Sequence, residues 1–367
     1  MYGESIMSYL TVIKYATMLF PLVAFFFTIP FILREYHKYG SISPIKSIIT
    51  YLFIYYLLCA YFLVILPLPK ISEVAKMTSP RVQLIPFDFI LDFIKKSSFN
   101  IMDMSTYLTA MKESYFYVPV FNILLTLPFG IFLRYYFKCN KKRVIFLSFL
   151  LSLFFELTQL SGLYFIYPRG YRLFDVDDLI LNTFGGLLGY FLSRPITYFI
   201  PEIDKVNQKA KEKGKIISGF RRTVVILLDL FIFITIELLI IAFFKNNMYL
   251  QILFAIFYYI ILPLFLAGRT PGQKFLNIVV VDENNKNHKF KLLLRKFLAI
   301  AIYILIPFSI CNIIFFLPDS LVRELLGVWA IGVIFVFYLL STLKYIFTNK
   351  DMIYEKISKT RLISTIQ

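Results

Sequence analysis

Cysteine and histidine are nearly absent from this chain, at three and two residues in 367. Cys59, Cys139 and Cys311 lie within or beside apolar runs, their number is odd and no CxxC occurs, so neither a disulfide framework nor a zinc site is implied. His37 and His288 both sit in basic loops, which leaves imidazole metal sites and Ser-His catalysis poorly supplied. No metal and no cofactor is expected, and no catalytic residue is assigned. Acid is also scarce, with 22 Asp and Glu against 39 Lys and Arg, a net charge of +17. Nucleic acid is not the expected partner of that charge, because the basic residues gather in alternate loops, as the positive-inside rule requires of a membrane protein. Alternating ten-residue strands are missing as well, which excludes a transmembrane barrel.

Apolar side chains are what the sequence has in excess: 59% are hydrophobic and 19% aromatic. That share is far above a soluble domain and implies a polytopic membrane protein, all-α, a bundle of about nine transmembrane helices. The spans are placed at about 9–33, 47–68, 116–137, 144–166, 176–200, 223–244, 250–267, 297–317 and 326–346. The first is too long for a signal-peptide core and has no small-residue cleavage site, so it is expected to be retained. Loop charge sets the orientation. The 134–143 loop holds Arg134, Lys138, Lys141, Lys142 and Arg143 with no acid, and 194–222 holds eight basic residues against three acidic ones, so both are expected inside. The 69–115 loop carries six basic and five acidic residues and 168–178 carries two and three, which places both outside. The N-terminus is then out and the C-terminus in.

The lysine-rich stretch 202–219, EIDKVNQKAKEKGKIISG, shows no apolar periodicity and is read as a cytoplasmic basic linker over 201–219. It separates a five-span domain at 1–200 from a four-span domain at 220–367. No internal repeat relates the two. Val82 to Ile94, VQLIPFDFILDFI, is too short to span and is expected to lie in the membrane interface as an amphipathic or re-entrant piece.

The run RLFDVDDLILNTFGGLLG from Arg172 to Gly189 puts four charges and an amide at the mouth of an apolar helix. At 100° per residue, Asp175, Asp178, Asn182, Gly185 and Gly189 share one face, and that face must meet protein or water rather than lipid. The fourth span carries Ser148, Ser152, Glu156 and Gln159 on one side, and the third carries Asn122, Thr126 and Gly130. Counted from their predicted outer ends, Asn122, Gln159 and Asn182 lie at matched depth, roughly 8–10 Å in at 1.5 Å per residue. A salt-bridged polar pocket open to the outer face is the simplest outcome, with Asn122, Glu156, Gln159, Arg169, Arg172, Asp175, Asp178 and Asn182 as candidate ligand-binding residues. In the functional reading the arginines bind a phosphate or carboxylate and the acids and amides hold polar parts of the ligand. In the structural reading the same groups only satisfy one another.

These residues carry a resemblance. Asn122 with Pro128 and Gly130, the ExxQ of Glu156 and Gln159, the RxFDVDDxxxNxxG through Gly185, the ILPLP end of the second span and LIPF at 84–87 resemble the VanZ-like family over about 45–197. Members of that family are linked to low-level resistance to the glycopeptide teicoplanin, with no settled biochemical mechanism. The resemblance implies action at the outer face of the bacterial cytoplasmic membrane, with membrane lipids, a lipid-linked cell-wall precursor or the glycopeptide antibiotic itself as partner. An ion-coupled transporter or lipid flippase is the alternative. An intramembrane lipid-modifying enzyme, with Glu156 or Asp178 as acid or base, comes third because no nucleophile or metal set accompanies it.

The second half places Arg222 and Asp229 seven residues apart on one helical face, followed by the loop GRTPGQKFLNIVVVDENN and then Arg295. The Gly/Pro turn and the β-branched run Ile278 to Val281 predict a short β-turn insert near 276–290. A phosphate loop is excluded by spacing and by the lack of Ser or Thr after Lys274. The pattern is similar to the RDD family over about 216–363, with Gln273 standing before Lys274 where GK is usual and Glu355 where His-Asp is usual. Arg222, Asp229, Lys274, Arg295 and Glu355 are the candidate structural or ion-path residues.

Overall fold

The computed structural model describes residues 2–244, 247–284, 286, 288–318, 320–348 and 350–366, with side chains from residue 10 onward. It is an all-α bundle with two short two-stranded sheets. Eight helical segments among the described residues are long and apolar enough to cross a membrane, starting at Leu10, Pro44, Ser114, Lys141, Gly219, Met248, Lys289 and Leu321. The chain separates into two compact units, residues 1–27 with 44–206 and residues 28–43 with 207–367.

The first unit contains most of α1 (Tyr2–Tyr39), then α2 (Pro44–Ile65), α3 (Ile71–Ala75), β1 (Val82–Gln83), α4 (Asp88–Lys96), α5 (Tyr107–Ala110), α6 (Ser114–Tyr135), α7 (Lys141–Leu160), α8 (Gly162–Phe165), β2 (Phe174–Asp175) and α9 (Val176–Ile196). The predicted fifth span, α9, is a full-length helix but is not among the eight apolar ones. The reason lies in its surroundings. It is an interior helix packed along α6 and α7, burying Asp177, Asn182, Gly185, Gly186, Gly189 and Ser193 against protein, so an apolar surface is not required of it. The glycines set how close these helices come. A Cβ at Gly185 would stand 2.2 Å from the Ile123 carbonyl oxygen of α6, and one at Gly189 2.0 Å from that of Leu127.

Between α2 and α6, the segment expected to lie in the interface resolves into β1, paired in parallel with β2, and the nine-residue α4. Exposed Leu84, Ile85, Phe87, Ile90, Leu91 and Ile94 give it an apolar outer surface.

Next comes α10 (Ile203–Gly214), which corrects the reading of this stretch as an aperiodic linker. Ile203, Val206 and Ala210, at a 3–4 spacing, are buried while the lysines between them point to solvent, so a sparse apolar stripe was hidden by the charge.

The second unit holds α11 (Gly219–Phe244), α12 (Met248–Ile256), α13 (Leu262–Phe265), α14 (Pro271–Phe275), β3 (Ile278–Asp282), α15 (Lys289–Ile300), α16 (Ile306–Phe315), α17 (Leu321–Phe347), α18 (Ile353–Ile357) and β4 (Thr360–Ser364). The predicted β insert is present, but β3 pairs antiparallel with the distant β4 rather than folding on itself. Tyr36, Ile217, Val224, Val225, Leu276 and Ile278 form the core beneath this ribbon. Two spans are interrupted by π turns, at Phe257–Ile261 and Ala301–Leu305. Each precedes a proline, Pro263 or Pro307, which has no N–H for the carbonyl four residues back. Side chains from elsewhere take up those carbonyls: the Lys296 ammonium donates to that of Tyr259 and the Tyr338 hydroxyl to that of Tyr303.

Candidate functional site

The polar stripes of α6, α7 and α9 meet in the first unit. Asn122 of α6 donates through Nδ2 to Asp178 Oδ1 of α9. One turn on, the Thr126 hydroxyl donates to the Asn182 carbonyl at 2.6 Å. Across α7, Asn182 Nδ2 donates to Ser152 Oγ at 3.0 Å, and that hydroxyl donates to the Asp178 carbonyl at 3.2 Å. Glu156 is 2% exposed and accepts the backbone N–H of Asp175 at 3.0 Å. Gln159 donates to the Val64 carbonyl of α2 at 2.9 Å.

A cavity of about 420 Å³ opens between α2, α6, α7 and α9. Its polar lining is Asn122, Glu156, Gln159, Arg172, Asp178 and Asn182, and its apolar lining includes Leu63, Phe121, Leu125 and Phe155. This size falls within the roughly 300–1,000 Å³ of ordinary small-molecule sites, and a few convergent polar groups in an apolar wall is their usual chemistry.

Six of the eight predicted residues therefore meet, and two do not. Arg169 reaches away from the cavity, donating to the carbonyls of Met77 and Ser79 beyond α3. Asp175 is not on the α9 face at all. It lies in β2 as the N-cap, accepting the Asp177 N–H at 2.9 Å, so the shared face begins at Asp178. A short extended segment, which the helical count does not foresee, is what removes it.

The expected salt bridges are also replaced. Among the described residues no ion pair joins Arg172 to Asp175 or Asp178. Arg172 instead donates to the carbonyls of Val64 and Leu66, both at 2.7 Å, at the C-terminal end of α2. Tyr171 donates to the Ile65 carbonyl at 3.1 Å and Tyr167 to that of Pro69 at 2.9 Å. The connection between α7 and α9 thus caps α2, satisfying carbonyls that have no partner within their own helix and placing a cation at the negative end of its dipole.

Asp177 is a residue the sequence reading missed. It is 3% exposed and accepts the N–H groups of Phe87 (2.5 Å) and Phe89 (3.0 Å), capping α4 in place of Phe87, which has no capping side chain. The three acids of the DVDD run therefore have separate tasks: Asp175 caps its own helix, Asp177 caps another, and Asp178 faces the cavity. Only its buried position distinguishes Asp177, and a sequence pattern does not show that.

In the second unit Asp229 is closed rather than open. It accepts from Gly272 N–H at 2.7 Å, the Thr270 hydroxyl at 2.5 Å and the Tyr258 hydroxyl at 3.1 Å. Thr270 also caps α14, with Gln273 completing a capping box. Gln273 thus has a defined structural task at the position where it departs from the familiar GK. Among the described residues no salt bridge joins Arg222 to Asp229. Arg222 lies 3.9 Å from Glu355, which also accepts from Arg295 at 2.5 Å and from the Met352 N–H at 2.8 Å. Lys274 is exposed on α14, and among the described residues no salt bridge joins it to either group. Arg221, not singled out from sequence, is fully buried and donates to the carbonyls of Gly214, Leu276 and Asn277, tying α11 to the β3 ribbon.

Residues 53–201 match the VanZ/LLP1 family and residues 218–352 the RDD family. No curated protein and no solved structure matches the chain.

Proposed function

From the premise of a VanZ-like half followed by an RDD half, we propose that the cavity between α2, α6, α7 and α9 binds the polar part of a lipid-linked cell-wall precursor or of a lipoglycopeptide such as teicoplanin, and that this binding lowers susceptibility to the drug. The observation that carries the reading is the convergence of five uncharged or acidic polar side chains and Arg172 on one cavity that also has an apolar wall. Such a site suits a ligand with a polar head and a lipid tail. Under the positive-inside rule the basic 134–143 loop lies in the cytoplasm, which puts the α7–α9 connection, and the cavity beside it, toward the outer leaflet of the cytoplasmic membrane. The transporter alternative draws less support, because Asp229 is occupied by three donors from its own unit.

Teicoplanin susceptibility tests this. Cells expressing the wild type are expected to tolerate more drug than cells with Glu156→Gln or Asn182→Leu at equal protein level. Equal tolerance across all three would remove the cavity from the account.

A further inference from the structure

We propose that the second unit binds the anionic headgroups of phospholipids through the lysines in the C-terminal half of α10.

Lys209, Lys211, Lys213 and Lys215 fall close together in sequence, and all four are exposed. Glu212 is the one acid among them. Lys205, nearer the start of α10, pairs with Glu202 at 3.6 Å. Among the described residues no salt bridge is made by the other four.

The backbone beneath them is fixed. Ser41 Oγ donates to the Ala210 carbonyl at 2.6 Å, and Arg221 donates to that of Gly214 at 2.7 Å. A Cβ at Gly214 would stand 2.0 Å from the Tyr39 carbonyl oxygen, so α10 ends directly against the end of α1. With Ala210, Gly214 and Ile217 buried, the lysine stems have the outward side to occupy. Lysines on either edge of that buried stripe can bring their charges to one layer, because each ammonium rides on a flexible stem.

The position of this platform names the partner. Helices α1 and α11 are both long and apolar enough to cross a membrane. Gly214 abuts Tyr39, the last residue of α1, and stands shortly before Gly219, the first residue of α11. The chain from Gly214 to Gly219 reaches no farther than roughly 18 Å, so the end of α10 is held where two spans leave the hydrocarbon. Exposed Ile216 and Phe220 flank the same point, and such side chains settle in the interfacial layer. A cluster of lysines immediately beside a span is drawn to the negative surface potential of anionic lipid, which decays within about 8–10 Å. A dissolved acidic partner would leave the exposed apolar pair without a purpose.

The test titrates the full chain in neutral detergent with phosphatidylglycerol or phosphatidylcholine, and native mass spectrometry gives the dissociation constant of the first lipid bound. Two variants with the same loss of charge are compared. One carries Lys209→Gln, Lys211→Gln and Lys213→Gln on α10, and the other Lys141→Gln, Lys142→Gln and Arg143→Gln at the start of α7. All six side chains are exposed, so both variants are expected to fold. In about 0.1 M ammonium acetate the α10 variant should weaken phosphatidylglycerol at least about fivefold, the scale of one lysine at an anionic surface, and leave phosphatidylcholine unchanged. The α7 variant should lose less than about twofold. At about 1 M, where the Debye length is about 3 Å, the wild type and the α10 variant should coincide. An α10 variant that keeps the wild-type affinity would return these lysines to solvent and overturn the proposal. An α7 variant that loses as much would overturn it too, because net charge rather than this surface would then set the binding.

Discussion

Asp229 and Glu355 in the second unit and Glu156 and Asp178 in the first are treated in opposite ways. In the second unit, Asp229 accepts from three donors, and Glu355 from Arg295 and the Met352 backbone with Arg222 beside it. In the VanZ-like half, Glu156 and Asp178 line a cavity, and the nearby Arg172 turns to backbone carbonyls instead of pairing with them. Acids that are fully satisfied hold helices together. Acids that line a cavity and accept from one protein donor each among the described residues have capacity left for a ligand.

The strongest break of this contrast is expected at Glu355. Replacing it by Leu leaves Arg295 and Arg222 buried without their counter-charge, and the loss should be about 3–5 kcal/mol, read as a fall in thermal unfolding temperature in detergent. Adding Arg295→Met should recover much of it, as expected for a buried ion pair whose members fail only when separated. Arg172→Ala should come next, at about 1.5–3 kcal/mol, because two carbonyls at the end of α2 lose a charged donor. Unchanged stability with lost drug tolerance would instead make Arg172 a ligand residue and blur the contrast. Glu156→Gln should cost less than about 1 kcal/mol in the same melt while abolishing drug tolerance, the signature of a group kept for something other than the fold.

The smallest effect lies outside the spans. The Lys286 backbone N–H, at 2.8 Å, holds the Asp282 carboxyl below the usual aspartate range, with the Lys291 ammonium and the Asn284 N–H adding to it. A depressed folded value means that the stabilisation is present above the unfolded pKa of about 3.9 and fades as pH falls through the lower folded value. The unfolding temperature of the wild type should therefore exceed that of Asp282→Asn at pH 7, and the gap should close as pH drops below about 4. A gap independent of pH would mean that the carboxylate charge has no part in the β3 turn.

The sequence made the helical class and most of the cavity legible, because long apolar runs announce spans and a 3–4 spacing of polar residues within them marks an interior face. Glu156, Gln159, Asn122, Asp178 and Asn182 were found that way. Arg172 lines the cavity as foreseen, but its partners are backbone carbonyls, which look the same at every position in a sequence. Asp177 was missed for a related reason: the N–H groups it caps lie about 90 residues away. The β3 strand was visible in its β-branched run, while its pairing with β4 depends on a return of the chain that no local pattern records. The stripe of Ile203, Val206 and Ala210 went unnoticed because three apolar residues among many lysines give a weak period.

The central claim is that the cavity of the VanZ-like half is a ligand site, and the most direct measurement is an electron cryo-microscopy map of the full chain extracted into nanodiscs with its native lipids. The account predicts non-protein density in the cavity within hydrogen-bond distance of the Glu156 and Asp178 carboxyl groups. A cavity closed by the side chains around it, with no non-protein density, would contradict it.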